Sequence, residues 1–408
     1  MSFQQGLSGL GASSKALDSV GNNIANAGTV GFKSASTAFA DVFAASLGGG
    51  SQVGIGTSIA GINQQFTQGN ITVTSNSLDL ATNGAGFYRL SNNGSITWTR
   101  NGQFNVDKDG YIVNSNGFRL TGYVANSSNV IVPSTPAEIF INTSDLQPQA
   151  TGTSAAATGL EIGLNLDSRD TAFGATPAFN AGDPTTYNSS TSATVYDSLG
   201  NSHLLSLYFR KTGSGAWNLY TNLDGGTATA ATPLTFNSTG ALTAPATGIV
   251  TQTFTMTNGS NNLSFPLNLT GSTQYGNIFG VNSITQDGYT SGRLSGLSVA
   301  SDGTVQGRYS NGQTRDLAQI VLGNFNNPNG LTSLGNNQWA ETADSGQPLI
   351  GVPGSGSLGV IQSGAIEESN VDLTAELVNM ITFQRMYQAN AQTIKTQDSI
   401  MQTLVNLR

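Results

Sequence analysis

The one histidine of this chain, His203, sits in YDSLGNSHLL with Asp197, Ser198 and Ser202 close by in sequence. An acid, an imidazole and a hydroxyl are the residue types of nucleophilic hydrolysis, where the imidazole takes the serine proton and the carboxylate orients the ring. One hairpin rarely supplies all three members in working geometry, so His203 reads as a surface histidine beside a β-turn. Metal chemistry has less to draw on. With one His and no Cys, carboxylates are the only strong ligands left. DKDGYIVNSNG (107–117) begins with the Asp spacing of a Ca²⁺ loop, but its Gly comes too early and no Glu closes it. It reads as a plain hairpin. GIGTSIAG (54–61) lacks the glycine spacing, the preceding strand and the following helix that cradle a nucleotide phosphate. The expectation is a non-enzyme that needs no metal and no other cofactor.

The elements must then account for a chain of 408 residues, enough for two or three domains. Charged residues make up only 9%, against roughly 25% in ordinary soluble domains. The surface is therefore solvated by neutral polar groups. A net charge of −8 argues against nucleic acid and against anionic membrane surfaces as partners. No apolar run approaches the ~20 residues of a membrane span, and no charged n-region precedes an apolar stretch at the N-terminus. Membrane insertion is not expected, and any export is expected to leave the N-terminus uncleaved. The absence of cysteine suits work outside the cell without oxidation.

Both ends carry helical spacing. Phe3, Leu7, Leu10, Ser14, Leu17, Gly21 and Ile24 alternate steps of four and three, the seam of a coiled coil. Leu373, Leu377, Met380, Tyr387, Ala391, Ile394, Met401 and Val405 repeat that seam at the C-terminus, with Gln384 and Asp398 at two further positions. Ser369 followed by Asp372 resembles a capping box with Asp in place of Glu. Four glycines within residues 6–21 make the N-terminal helix marginal on its own. The spacing therefore predicts that the two seams meet each other, with neighbouring copies adding more of the same contact.

Between the ends, Asn-Gly and Asp-Gly pairs recur from Asn83 to Asn329 and punctuate short alternating runs such as GFYRL and HLLSLYF. The fold class expected is mainly β with α-helical termini, the helices forming a coiled-coil-like core and the rest two antiparallel β domains, one inserted in the other. The boundaries expected are a helix over 1–30, an extended linker arm over 31–75, and a split β domain over 76–145 and 285–360. An inserted outer β domain occupies 146–284, and a second helix 365–408.

GNNIANAGTVGFKS (21–34) carries Asn22, Asn23, Ile24, Ala25 and Asn26, then Thr29, then Gly31, Phe32 and Lys33. This block resembles the signature of the bacterial flagellar rod and hook family. NGAGFYRL (83–90), TRNGQF (99–104) and the whole stretch 369–408 resemble the same family in the expected order. The length and the closing TLVNLR resemble its longer, hook-forming members. The resemblance implies a hollow, curved homopolymer in the extracellular flagellum, a flexible joint between motor rod and filament. It implies, as partners, rod, hook-cap and hook–filament junction proteins and the flagellar type III export apparatus. It also implies that the C-terminal helix lines a channel for exported subunits. FADVF, with Phe39 and Phe43, resembles a short export motif of early flagellar substrates. A stiffer, distal-rod-type axial protein stays open as an alternative, as does a carbohydrate-binding β adhesin suggested by the Ser/Thr/Asn-rich middle.

Overall fold

The computed structural model describes residues 2–42, 54, 56–126, 130–154 and 156–406. Two helices lie at the ends of the chain: α1 spans Ser2–Ala25 and α2 spans Leu373–Asn406. At about 1.5 Å per residue, the 34 residues of α2 make a rod of about 51 Å. Among the described residues between them are only strand, turn, irregular chain and two short 3₁₀ turns.

The expected linker arm is not merely extended. β1 (Ala35–Val42) and β2 (Gly56–Gln64) form an antiparallel pair that runs from Ala35 opposite Gln64 to Val42 opposite Gly56. The hairpin is held against α1. Ser19 and the Asn23 amide both donate to the Ala35 carbonyl, and the Ala35 N–H returns a bond to Asn23 at 2.9 Å. Glycine-rich sequence between the strands hid this pairing, and the bonds that hold the strands to α1 join segments that no local pattern links.

The first unit comprises residues 1–143, 296–308 and 314–408. After β3 (Ile71–Val73) and β4 (Leu80–Asn83), β5 (Phe87–Asn92) and β6 (Ser95–Thr99) enter a thirteen-stranded sheet. The β5–β6 turn is Asn93-Gly94, both with positive φ, which is the conformation that a two-residue hairpin demands and that Gly adopts without strain. Phe87, Trp98, Phe325 and Trp339 close the core on one side, with Phe66 edge-on to Phe87 at 5.4 Å. The returning chain pairs Val360–Ser363 with β4 and Ala365–Glu367 with β3. Residues 365–367 are thus strand, where a helix from 365 was expected. Asp372, not Ser369, caps α2 by accepting from the Thr374 and Ala375 N–H groups, and Ser369 instead accepts from Val371.

The second unit comprises 144–295 and 309–313. Its limits are wider than the expected 146–284, because Leu146 bridges Gly292 and Gln149 bridges Tyr289 across the two crossings of the chain. Two five-stranded sheets enclose one core that includes Leu164, Leu207, Phe209, Trp217 and Phe265. Turn signals predicted antiparallel pairing throughout. Leu160–Asp167 instead runs parallel to Leu263–Asn268 and Thr273–Tyr275. About a hundred residues separate these partners, so no hairpin dictates their direction.

A candidate assembly surface and the ionic knot beneath it

The two terminal helices do pack together: α2 meets α1 with Ile394 of its expected seam, but α1 presents a different stripe. The stripe of α1 that faces inward is Gly6, Gly9, Ala12, Ser13, Ala16, Val20 and Asn23, one position away from the line of large apolar residues. A Cβ on Gly6 would lie 3.0 Å from Ile394, and one on Gly9 would lie 2.6 Å from the Asn390 amide. A side chain at either position would have to displace Ile394 or Asn390 of α2. At the other end of the pair, the Asn23 amide donates to Glu376 at 3.0 Å, and Phe39 of β1 meets Phe383 of α2 at a ring distance of 6.3 Å. Phe43, the second half of the expected export motif, lies outside the described residues.

The expected seam residues divide accordingly. Leu10, Leu17, Ile24, Met380, Ala391 and Ile394 are half-buried, Ile394 directly against Gly6. Phe3, Leu7, Leu373, Leu377, Tyr387, Met401 and Val405 are exposed, Leu7 at 55% and Val405 at 72%. Val378, Ile381 and Met386 join them on α2. The helix pair therefore carries a run of large apolar side chains facing away from its own chain, an area of the kind that marks an interaction site.

The asparagines of the signature end α1 and turn the chain. Asn22 accepts from the Asn26 amide at 2.9 Å, and Asn26 in turn accepts from the Thr29 hydroxyl. Ala25 is the last helical residue. Gly31 has φ +71°, and a Cβ there would lie 2.6 Å from the Asn101 nitrogen, so only glycine fits. Its N–H donates to the Glu367 carbonyl at 2.8 Å, and Phe32 and Lys33 turn inward beyond it.

There the separate motifs converge. The Lys33 ammonium meets Glu367 at 2.6 Å with both side chains fully buried, and Arg100 Nε lies 3.2 Å from the other carboxylate oxygen. Lys33 also donates to the Thr67 carbonyl, and the Gly69 N–H donates to Glu367. Arg100 is held in place by the carbonyls of Gly84 and Gly86. Burial pushes the Lys33 ammonium below its ordinary range, against the pull of Glu367 and with the help of the Arg100 charge. Next to the knot, Asn370 caps the Ser34 N–H and donates to the Gln65 carbonyl. Sequence reasoning found Lys33 but missed Glu367 and Arg100. The signal available was that Arg100 and Gly84 lie inside two of the family-like blocks, although neither block says what it touches.

His203 and its neighbours are arranged differently from the expectation. The ring is mostly buried, not a surface side chain: Nδ1 lies 2.6 Å from Asp224 and Nε2 lies 3.3 Å from Asp197. Ser198 accepts from the Asn261 N–H instead. With both ring nitrogens facing carboxylates, neither is left to take a proton from a serine. Among the described residues no cluster of His, Asp and Glu is placed to hold a metal ion, and no helix is long and apolar enough to cross a membrane.

A β body whose two chain ends pair as helices, anchored by a buried knot and bare on their apolar flank, is the build of an axial structural subunit. Known proteins agree along the whole length. Residues 3–33 match the family described as flagella basal body rod protein, and 81–153 match the flagellar hook protein FlgE/F/G D1 domain. Residues 165–289 match the flagellar basal body protein FlaE D2 domain, and 362–407 match the flagellar basal body rod FlgEFG protein C-terminal family. The flagellar hook protein FlgE of Escherichia coli (strain K12) is 45% identical over all of both chains. That of Borreliella burgdorferi is 35% identical over all of this chain and 99% of its own. The crystal structure of Helicobacter pylori flagellar hook protein FlgE2 shares the fold at TM-score 0.51 and 15% identity, covering 73% of this chain and 99% of that one. The chain belongs to the flagellar hook protein FlgE family. It is a structural subunit of the flagellar hook, which sets aside the distal-rod and adhesin alternatives.

Proposed function

We propose that this chain polymerises through the bare flanks of α1 and α2 into a hollow, curved tube that joins rod to filament. The single observation behind this reading is the exposure of Phe3, Leu7, Leu373, Leu377, Met401 and Val405 on a helix pair in which α1 packs internally through small residues. A close-packed glycine stripe leaves little apolar area buried within one chain, so the helix pair is weakly held until neighbours cover its outer flank. Subunits would then travel unfolded at both ends and order on incorporation. Rod, cap and junction proteins would meet the same flank at the two ends of the tube, and the type III export apparatus would handle the unfolded ends, with Phe39 as part of the signal.

Further along α2, Gln388, Gln392, Thr393, Thr396 and Gln402 are exposed to solvent. Neutral amides and hydroxyls offer a passing chain neither a large apolar patch nor fixed charge, which suits the wall of an export channel. The outer β surfaces, poor in charge, suit bending because water takes over each polar bond that breaks as neighbours slide. The test combines circular dichroism of dilute subunit and assembled polymer with electron microscopy of the polymer. Helix content should rise on assembly and the tubes should be curved. Equal helix content in both states, or straight tubes, would overturn the reading.

A further inference from the structure

His203 is not needed for any part of the assembly surface, yet it sits where three loops of the second unit meet. The first loop, 197–202, is wound around Asp197, whose fully buried carboxylate accepts from the Leu199 and Asn201 N–H groups and from the Asn201 amide. The second follows the strand Ala216–Leu223, where Asp224 accepts from the Leu204 N–H at 2.8 Å. The third, 256–262, sends the Asn258 amide to Asp197 at 2.6 Å and the Asn261 N–H to Ser198. The imidazole bridges the first two loops, and Asp197 passes the link to the third. Asp197 and Asp224 are the ionisable groups that face the ring; the third loop contributes the neutral Asn258 amide.

Two carboxylates at hydrogen-bond distance from the two ring nitrogens can both be served only by the doubly protonated imidazolium. A neutral ring donates to one and turns a lone pair toward the other. An open cavity of about 530 Å³ lined by His203, Asp224, Thr227, Met256 and Asn258 lets water reach the site, so the proton can exchange. We infer that His203 is a proton-dependent clip: its imidazolium ties these three loops together in acid surroundings and lets them part when the ring becomes neutral.

Burial on its own would lower the affinity of the ring for its proton, but the Asp224 and Asp197 carboxylates outweigh that and raise it above the ordinary 6.5. A raised value in the folded state stabilises the closed clip fully below pH 6.5, and that contribution is lost as pH climbs through the folded midpoint. The chain has a single histidine, so the ring protons of the full-length subunit give one unambiguous titration curve by NMR. The midpoint should lie above 6.5 and fall in Asp224→Asn, a half-exposed position where the amide oxygen can still accept from the Leu204 N–H. Amide exchange in 197–202, 223–226 and 256–262, corrected for intrinsic chemistry, should be slower at about pH 5.5 than at about pH 8. In His203→Gln that difference should vanish. A midpoint at or below 6.5, or the same pH dependence of exchange in His203→Gln, would overturn the inference.

Discussion

Glu367 is a fully buried carboxylate at the point where three separate segments of the chain meet. Two buried cations depend on it, along with one backbone N–H. Removing one member of a buried ion group leaves the others desolvated and unpaired, which costs about 3–5 kcal/mol. Glu367→Ala should therefore lower the urea midpoint of the first unit sharply, whereas Lys15→Ala, which breaks an exposed pair with Asp18, should leave it nearly unchanged. Equal midpoints for the two variants would show that the knot adds nothing. The reason for a charged knot here, where apolar packing would serve, lies in its geometry: Glu367 on strand 365–367 accepts directional bonds from Lys33 just beyond the turn after α1, from Arg100 in the 99–104 block and from the Gly69 N–H. Lys33 was legible in the sequence as part of a motif. Its partner, 334 positions away, was not.

At the scale of the elements, α1 has two different apolar stripes, and their sizes assign their roles. Glycine and alanine let helix axes come close, while leucine and phenylalanine hold them apart. Gly9→Leu separates the two effects. Helix propensity predicts a gain of nearly 1 kcal/mol, but the new side chain collides with Asn390, so α1 and α2 should no longer pair. Tubes should fail to form from Gly9→Leu in a sedimentation assay. Gly11→Ala is the companion case, since nothing lies within 4 Å of the added carbon. It should stabilise α1 by up to about 1 kcal/mol and leave polymer yield intact or higher. The heptad pattern located both helices from sequence, yet on α1 the stripe that turns inward lies one position away from the seam it named, while Ile394 of the α2 seam does meet α1. A spacing rule counts large side chains, and the close approach here is made by their absence.

For the whole molecule, the sum of charges sets the terms of association. Each subunit carries −8 with few basic residues to offset it, so neighbouring copies repel at low ionic strength. Salt that screens this repulsion, and sulfate that also strengthens apolar burial, should both promote tube formation. The sedimentable fraction should rise between ~50 mM and ~500 mM NaCl and rise further in ammonium sulfate at equal ionic strength. Insensitivity to both would mean that neither the net charge nor the exposed helical flank governs assembly. Low charge density also fits a body built from hairpins, many of whose turns were readable from Asn-Gly and Asp-Gly pairs, although Asn101-Gly102 and Asp287-Gly288 form no turn.

The helical ends, the β body, the hairpin turns and the family could all be read along the chain, because each is written in neighbours a few residues apart. Propensity, period and turn conformation are local, and local chemistry needs no folding to be legible. Which helix face turns inward was settled by folding alone, as was the pairing of the expected arm into a hairpin held by α1. The same is true of Lys33, Arg100 and Glu367 forming one buried group, and of His203 lying between two carboxylates. Those outcomes depend on how closely distant segments approach and on which charges lose their water together, and no spacing along the chain encodes either.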